Sequence, residues 1–255
     1  MKYKKPPVME VGMTFSFDPS ESTPEWSEDV AIEYLSQFEG DFPNREIIFR
    51  QEFRIETDVK KKIQRTDTSS SKVNEVVARR ADGYEVLGLG QNCMTYHKIR
   101  KDEDFPHYKP VAERAFQVLP KYIGFWRPKN IKFISLLYLD HIAIPCLGII
   151  DLDDYFKIGV KFPDEEFGPV MNFDCRLNFP GKQDKMRLDV LFRQTPFITQ
   201  NHEYYIHWDC KSMDINSLNV AQIRYKMDSL HEYVLTCFEA SFTEECKKLF
   251  EPIEG

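Results

Sequence analysis

At 255 residues the chain is long enough for one large domain or two closely packed halves, and it can bury a core without help from a disulfide or a metal. The composition, 42% hydrophobic and 29% charged, is that of a globular protein, and 20 Phe point to a thick core behind broad sheets rather than a lean helical bundle. A net charge of −7 counts against nucleic-acid binding, which draws on a surplus of Lys and Arg, and without an apolar run of about 18 residues no membrane span is expected.

Met1-Lys2-Tyr3-Lys4-Lys5 passes directly into a strand with no apolar leader, so a cytoplasmic location is expected. Cys93, Cys146, Cys175, Cys210, Cys237 and Cys246 are scattered without a Cys-x-x-Cys pair. They read as small buried hydrophobes, and neither disulfide, metal site nor cofactor is expected.

The first strand follows Pro6-Pro7. Met9, Val11, Met13, Phe15 and Phe17 alternate with Glu10, Gly12, Thr14 and Ser16, the period of a half-buried strand. After a turn cluster at 18–24, a helix is predicted from Ser27, its N-cap, to Gly40, with Val30, Ile32, Tyr34, Leu35 and Phe38 on its apolar face. A second strand is predicted over Glu46–Glu56. Residues 57–73, with Lys60-Lys61-Lys62 and Ser69-Ser70-Ser71, read as a solvated loop.

Two strands, Val73–Arg80 and Leu89–Ile99, are predicted to join through Asp82-Gly83. A helix follows, with Tyr108, Val111, Ala112, Ala115, Phe116, Leu119, Tyr122 and Ile123 recurring at helical spacing. The pattern then restarts. A strand over Phe133–Ile142, a helical turn over Asp151–Phe156, and strands over Val170–Phe179, Lys185–Arg193 and Glu203–Lys211 are followed by a helix from Asn219 striped by Ile223, Met227, Leu230, Val234 and Phe238. A last short helix is N-capped by Thr243.

The repeat distance, roughly 110–125 residues, is too long for a solenoid and implies duplication. The expected fold is α+β: two tandem β-α-β-β-β-α halves, 1–129 and 130–255, whose antiparallel sheets carry helices on one face and can join edge to edge in one compact unit. The saddle of TATA-binding protein has a comparable plan, an analogy of topology alone.

Several stretches resemble a known family: the opening Pro6-Pro7-Val8-Met9-Glu10, the mid-chain Leu136-Leu137-Tyr138-Leu139-Asp140, and the tail Leu230-His231-Glu232 to Phe242-Thr243. They are similar to a sporadically distributed prokaryotic family of unknown function, whose chains are of similar length and open with Pro-Pro-x-x-Glu. Leu137 stands where that family has a basic residue and Asp140 where it has Asn. The resemblance implies an accessory or defence-type role beside a co-encoded partner, and no known activity.

Chemistry-bearing motifs are few. Gly-x-Ser-x-Gly and phosphate-cradling glycine loops are absent, and no catalytic residue is assigned. His202 and His207 are five apart on a strand and face opposite sides. The polar face of the second half carries Arg176, Arg187, Arg193, Tyr205, His207, Asp209 and Lys211, and Glu10 lies on the polar face of the first strand; these eight are the candidate binding residues. Asn172, Asp174, Asn178, Lys185 and Asp189 share that face. The expected function is non-enzymatic binding through a protein partner or through self-association as a homodimer. The alternatives are nucleic-acid binding by a saddle-like curved sheet and a hydrolase using His207 and Asp209 as an oriented base.

Overall fold

The computed structural model describes residues 3–50, 53–58, 63–68, 72–146, 150–158, 173–181, 185–195, 201–213 and 215–253, by backbone alone between 49 and 74. Strand β1 (Val8–Asp18) forms where period-two alternation follows the two prolines, and it buries Val11, Met13, Phe15 and Phe17. A bulge between Val8 and Glu10 takes Met9 out of strict alternation. Helix α1 (Glu28–Ser36) begins where Ser27 accepts a hydrogen bond from the Val30 amide at 3.3 Å; it ends before Gly40, in a run of turns through Asp41.

The first half has more strands than alternation alone revealed. In place of one strand over 46–56, β2 (Asn44–Arg50) and β3 (Phe53–Asp58) are separate. The expected loop at 57–73 contains β4 (Ile63–Thr68) and the start of β5 (Lys72–Arg79); Lys60-Lys61-Lys62 and Ser69-Ser70-Ser71 lie outside the described residues. The expected strand 89–99 is two, β6 (Glu85–Gly90) and β7 (Cys93–Ile99), reversed at Gln91-Asn92 with Asn92 at φ 60°. Asn tolerates that left-handed backbone because its short polar side chain can bond locally. Asp82-Gly83 joins β5 to β6, and Gly83 takes φ 78°.

Helix α2 (Tyr108–Trp126) carries its apolar stripe through Pro120 and closes on Arg127 in the left-handed region. Strand β8 (Asn130–Pro145) starts the second half, followed by a 3-10 turn at Leu152–Asp154 capped by Asp151. Then come β9 (Asp174–Pro180), β10 (Met186–Gln194), β11 (Asn201–Met213), α3 (Val220–Ser241) and the short α4 (Glu244–Lys248). These match the expected order, although Val170, Met171 and Asn172 lie outside the described residues. Asn219 caps α3 by accepting from the amides of Ala221 at 3.0 Å and Gln222 at 3.2 Å. Thr243 caps α4.

The strands form one antiparallel sheet of nine, in the order β2-β5-β6-β7-β1-β8-β11-β10-β9, and β3-β4 form a separate pair. The seam is β1 against β8, with Gly12 opposite Leu137 and Met13 opposite Leu136. From the seam the strands run outward as β1-β7-β6-β5 on one side and β8-β11-β10-β9 on the other. The fold is mixed α+β and mostly sheet, and the sheet is open at both ends.

The helices lie on one face. Helix α2 packs on β1 and β7, α3 on β8 and β11, α1 on β5, and α2 touches α3. Beneath them one continuous core holds stacked Phe17 and Tyr122, with centroids 4.6 Å apart, and a second aromatic cluster of Phe156, Phe192, Tyr204 and Phe242. The chain ends meet beside α3: the Lys4 and Lys5 amides donate to Glu251 and Phe250, and the Tyr3 ring packs edge-on against Phe250. The cysteines are all free thiols, with Cys210 and Cys246 buried and the others half-buried.

Candidate functional site

Because β-strand side chains alternate, burying one face of the sheet under helices fixes which residues line the other. On β1 these are Glu10, Gly12 and Thr14; on β8, Ser135, Leu137, Leu139 and His141; on β11, Tyr205, His207, Asp209 and Lys211. Strand β10 adds Arg187, Asp189, Leu191 and Arg193, and β9 adds Asp174, Arg176 and Asn178. All eight residues expected from sequence therefore share one face, and the register sorts them into rows. Glu10, Leu139, His207, Leu191 and Arg176 form one; His141, Tyr205, Arg193 and Asp174 form another. Lys185 lies just before β10, in the turn.

Charge on this face is organised by cross-strand pairing. Asp209 and Asp189 sit directly opposite each other, a like-charge contact that costs energy unless neutralised. Lys211 answers it, with its amine 2.6 Å from Asp209 and 3.7 Å from Asp189. Arg187 donates to Asp189 at 3.0 Å, Asn178 also donates to it, and Ser135 donates to Asp209. Burial pushes the Asp189 carboxyl up, but the Arg187 and Asn178 hydrogen bonds and the nearby cations outweigh it and leave it below the ordinary value. Arg193 holds Asp174 through two nitrogens, at 2.6 and 3.1 Å.

Toward the first half, the His97 ring lies over Gly12 and its Nδ1 is 2.6 Å from a Glu10 oxygen. A Cβ on Gly12 would stand 2.5 Å from that nitrogen, so the missing side chain is what lets the ring lie flat. Glu10 thus has a definite partner, and it is His97 across the β1–β7 ladder. At the opposite corner His141 stacks on Tyr205 with centroids 4.7 Å apart, and its Nε2 is 3.6 Å from Glu203.

His207 lies between these groups. Partial burial lowers its pKa, Asp209 and Glu10 pull the other way, and Arg176 and Lys211 add to the lowering. No hydrogen bond among the described residues joins it to Asp209, whose oxygens are taken by Ser135 and Lys211. Asp209 is instead engaged by Ser135 of β8 and by Lys211, two residues along its own strand.

On the helix side the structure reveals polar groups that alternation placed only as inward. The Asp140 carboxyl is fully buried; one oxygen accepts from the Trp208 indole at 2.7 Å and the other has no hydrogen-bond partner among the described residues. Burial raises it to about 7, with the indole pulling the other way. Tyr138 hydroxyl and His231 Nδ1 are 2.8 Å apart, and His231 stacks on Tyr108 at 3.9 Å. Tyr108 in turn donates to Asp228 at 2.5 Å. His231 is packed against the rings of Tyr108 and Tyr138, and His202 is buried on the face opposite His207.

Surface clefts lie elsewhere. One of about 350 Å3 is lined by Ile215, Ala221, Gln222, Tyr225 and Lys226 at the start of α3, and one of about 150 Å3 lies between the turns that follow α1, helix α2 and Tyr96. Among the described residues no group of three or more His, Cys, Asp or Glu side chains could hold a metal, and no helix is long and apolar enough to cross a membrane. Compared with known proteins, the chain matches no family model and no curated protein.

Proposed function

We propose that the chain is a non-enzymatic binding protein of the cytoplasm, acting through a protein surface laid against the helix-free face of its sheet. One observation carries this: among the described residues the helices stack on one face, while the other presents Leu137, Leu139 and Leu191 half-buried in a frame of Tyr205, His207, Arg187 and Arg193. An apolar centre with an aromatic and arginines around it is the make-up of a protein-binding patch. On strands β9 to β11 four acids, Asp174, Asp189, Glu203 and Asp209, balance four bases, Arg176, Arg187, Arg193 and Lys211. That balance disfavours a phosphate backbone, which rewards a surplus of cations. The sequence resemblance adds membership of the sporadic prokaryotic family, with a defence-type accessory role and a co-encoded partner.

The test uses the Leu139→Arg/Leu191→Arg double variant, checked by circular dichroism for an unchanged fold. Loss of a co-purifying companion, or of self-association, by the variant supports a docking face. Identical companions and identical sedimentation for both chains would overturn it.

A further inference from the structure

We infer that the occupant of this face is a second copy of the chain, docked sheet to sheet about a two-fold axis; this rests on the docking face proposed above. In an isologous contact each patch meets itself, so a face of one sign would repel its own copy. Here the charges cancel within the patch, and each acid has a base beside it: Asp174 faces Arg193 on the adjacent strand, while Asp189 and Arg187, and likewise Asp209 and Lys211, lie two residues apart on one strand. Rotating such a pattern onto itself can set acid against base at the rim while Leu137, Leu139 and Leu191 close the centre. Each of the three leucines is half-buried and keeps part of its apolar surface on this face.

The dimensions agree. Five strands, β1 to β9 through β8, β11 and β10, at about 4.8 Å spacing span about 24 Å, and the seven residues of β9 extend about the same distance along the strand direction. Each copy then contributes on the order of 600 Å2 in projection, so that two copies remove on the order of 1,200 Å2, the lower bound of a specific interface. Two sheets at about 10 Å with strands some 30° apart is an established way to pack such faces.

The experiment exploits the requirement that the face match itself. One variant carries Arg187→Glu and Arg193→Glu, giving an acidic patch; the other carries Asp174→Lys and Asp189→Lys, giving a basic one. All four positions are partly or largely exposed, so the fold should tolerate them, and thermal melts of each variant check this. In sedimentation velocity the wild-type chain should dimerise. Each variant alone should dimerise roughly a hundredfold more weakly. The equimolar mixture of the two should recover a heterodimer of near wild-type strength, and that recovery should weaken with added salt.

A wild-type chain that stays monomeric up to sub-millimolar concentration overturns the inference, as does a dimer that both variants keep. So does a mixture no tighter than its parts. The two levels of the argument separate cleanly. A monomeric wild type whose companion protein is lost from Leu139→Arg/Leu191→Arg leaves the docking face standing and removes only the second copy. A monomeric chain with no companion sensitive to that variant removes both.

Discussion

Asp140→Asn puts the buried carboxyl to the test. The side chain lies between β8 and the helix layer, with Trp208 bonded to one oxygen and no described residue bonded to the other. Burial lifts it from 3.8 to about 7. Between those values the folded chain holds a proton that the unfolded chain has released, so this group's contribution is full below the lower value and is lost as pH rises toward the upper one. Three pKa units at about 1.36 kcal/mol each set an upper bound of about 4 kcal/mol. Asn keeps the acceptor for the indole and puts an amide donor where the neutral acid would put its hydroxyl, so it mimics the protonated form at every pH.

Wild-type stability alone would not reveal the effect, because His231, pushed down to about 4 by burial, works in the opposite direction across the same window. The difference between variant and wild type isolates Asp140. Urea unfolding should give nearly equal stabilities near pH 4. Asp140→Asn should gain steadily above that, reaching an advantage of at most about 4 kcal/mol above pH 7. A difference that stays constant across the range would refute the reasoning.

Gly12→Ala should cost about 1–3 kcal/mol, because its methyl meets the His97 ring, and Gly12→Ala/His97→Ala should recover most of that loss in the same urea assay. A double variant no more stable than Gly12→Ala would show that the crowding lies elsewhere. His231→Gln should change the acid side of the stability curve: the folded imidazole resists the proton that the unfolded chain accepts, so the variant should gain stability relative to wild type as pH falls from 6.5 toward 4. Equal acid sensitivity of the two chains would remove His231 as the cause.

The second half was legible almost strand for strand because β8, β10 and β11 each have one wet and one dry face, and burial needs only the period-two pattern. Strand β9, at the sheet edge, alternates in sequence but buries no side chain fully, and Phe179 is exposed. The first half misled where that signal failed. Strand β4 carries Gln64, Arg65, Thr66, Asp67 and Thr68 with Ile63 its one apolar residue, so its pairing with β3 is invisible in composition. The reversal at Gln91-Asn92 puts Asn92 rather than a glycine at its left-handed position, and Gly90 just before it belongs to the strand, so β6 and β7 ran together. The candidate face was found by counting parity, which requires no tertiary knowledge. Its internal pairings were not, since Lys211 reaching both Asp189 and Asp209, or His97 reaching Glu10, follow from the register of strands far apart in sequence. Asp140 could have been found: it continues the inward series Ile134, Leu136 and Tyr138, where a carboxylate is out of place.

The position of β1 has a consequence for how the protein is made. It precedes every other strand, yet it finishes in the middle of the sheet, and the neighbour on its second side comes from residues 130–145. During synthesis β7 can zip onto it as soon as the segment to Ile99 has left the ribosome. Its other side must then stay open while a further stretch of chain, α2 included, is translated. A nascent intermediate with a long bare edge, apolar on one side, is an invitation to pair with its neighbours on the same messenger. Slow codons or a stall between Ile99 and Asn130 should therefore lower the soluble yield more than a pause of equal length placed after Pro145.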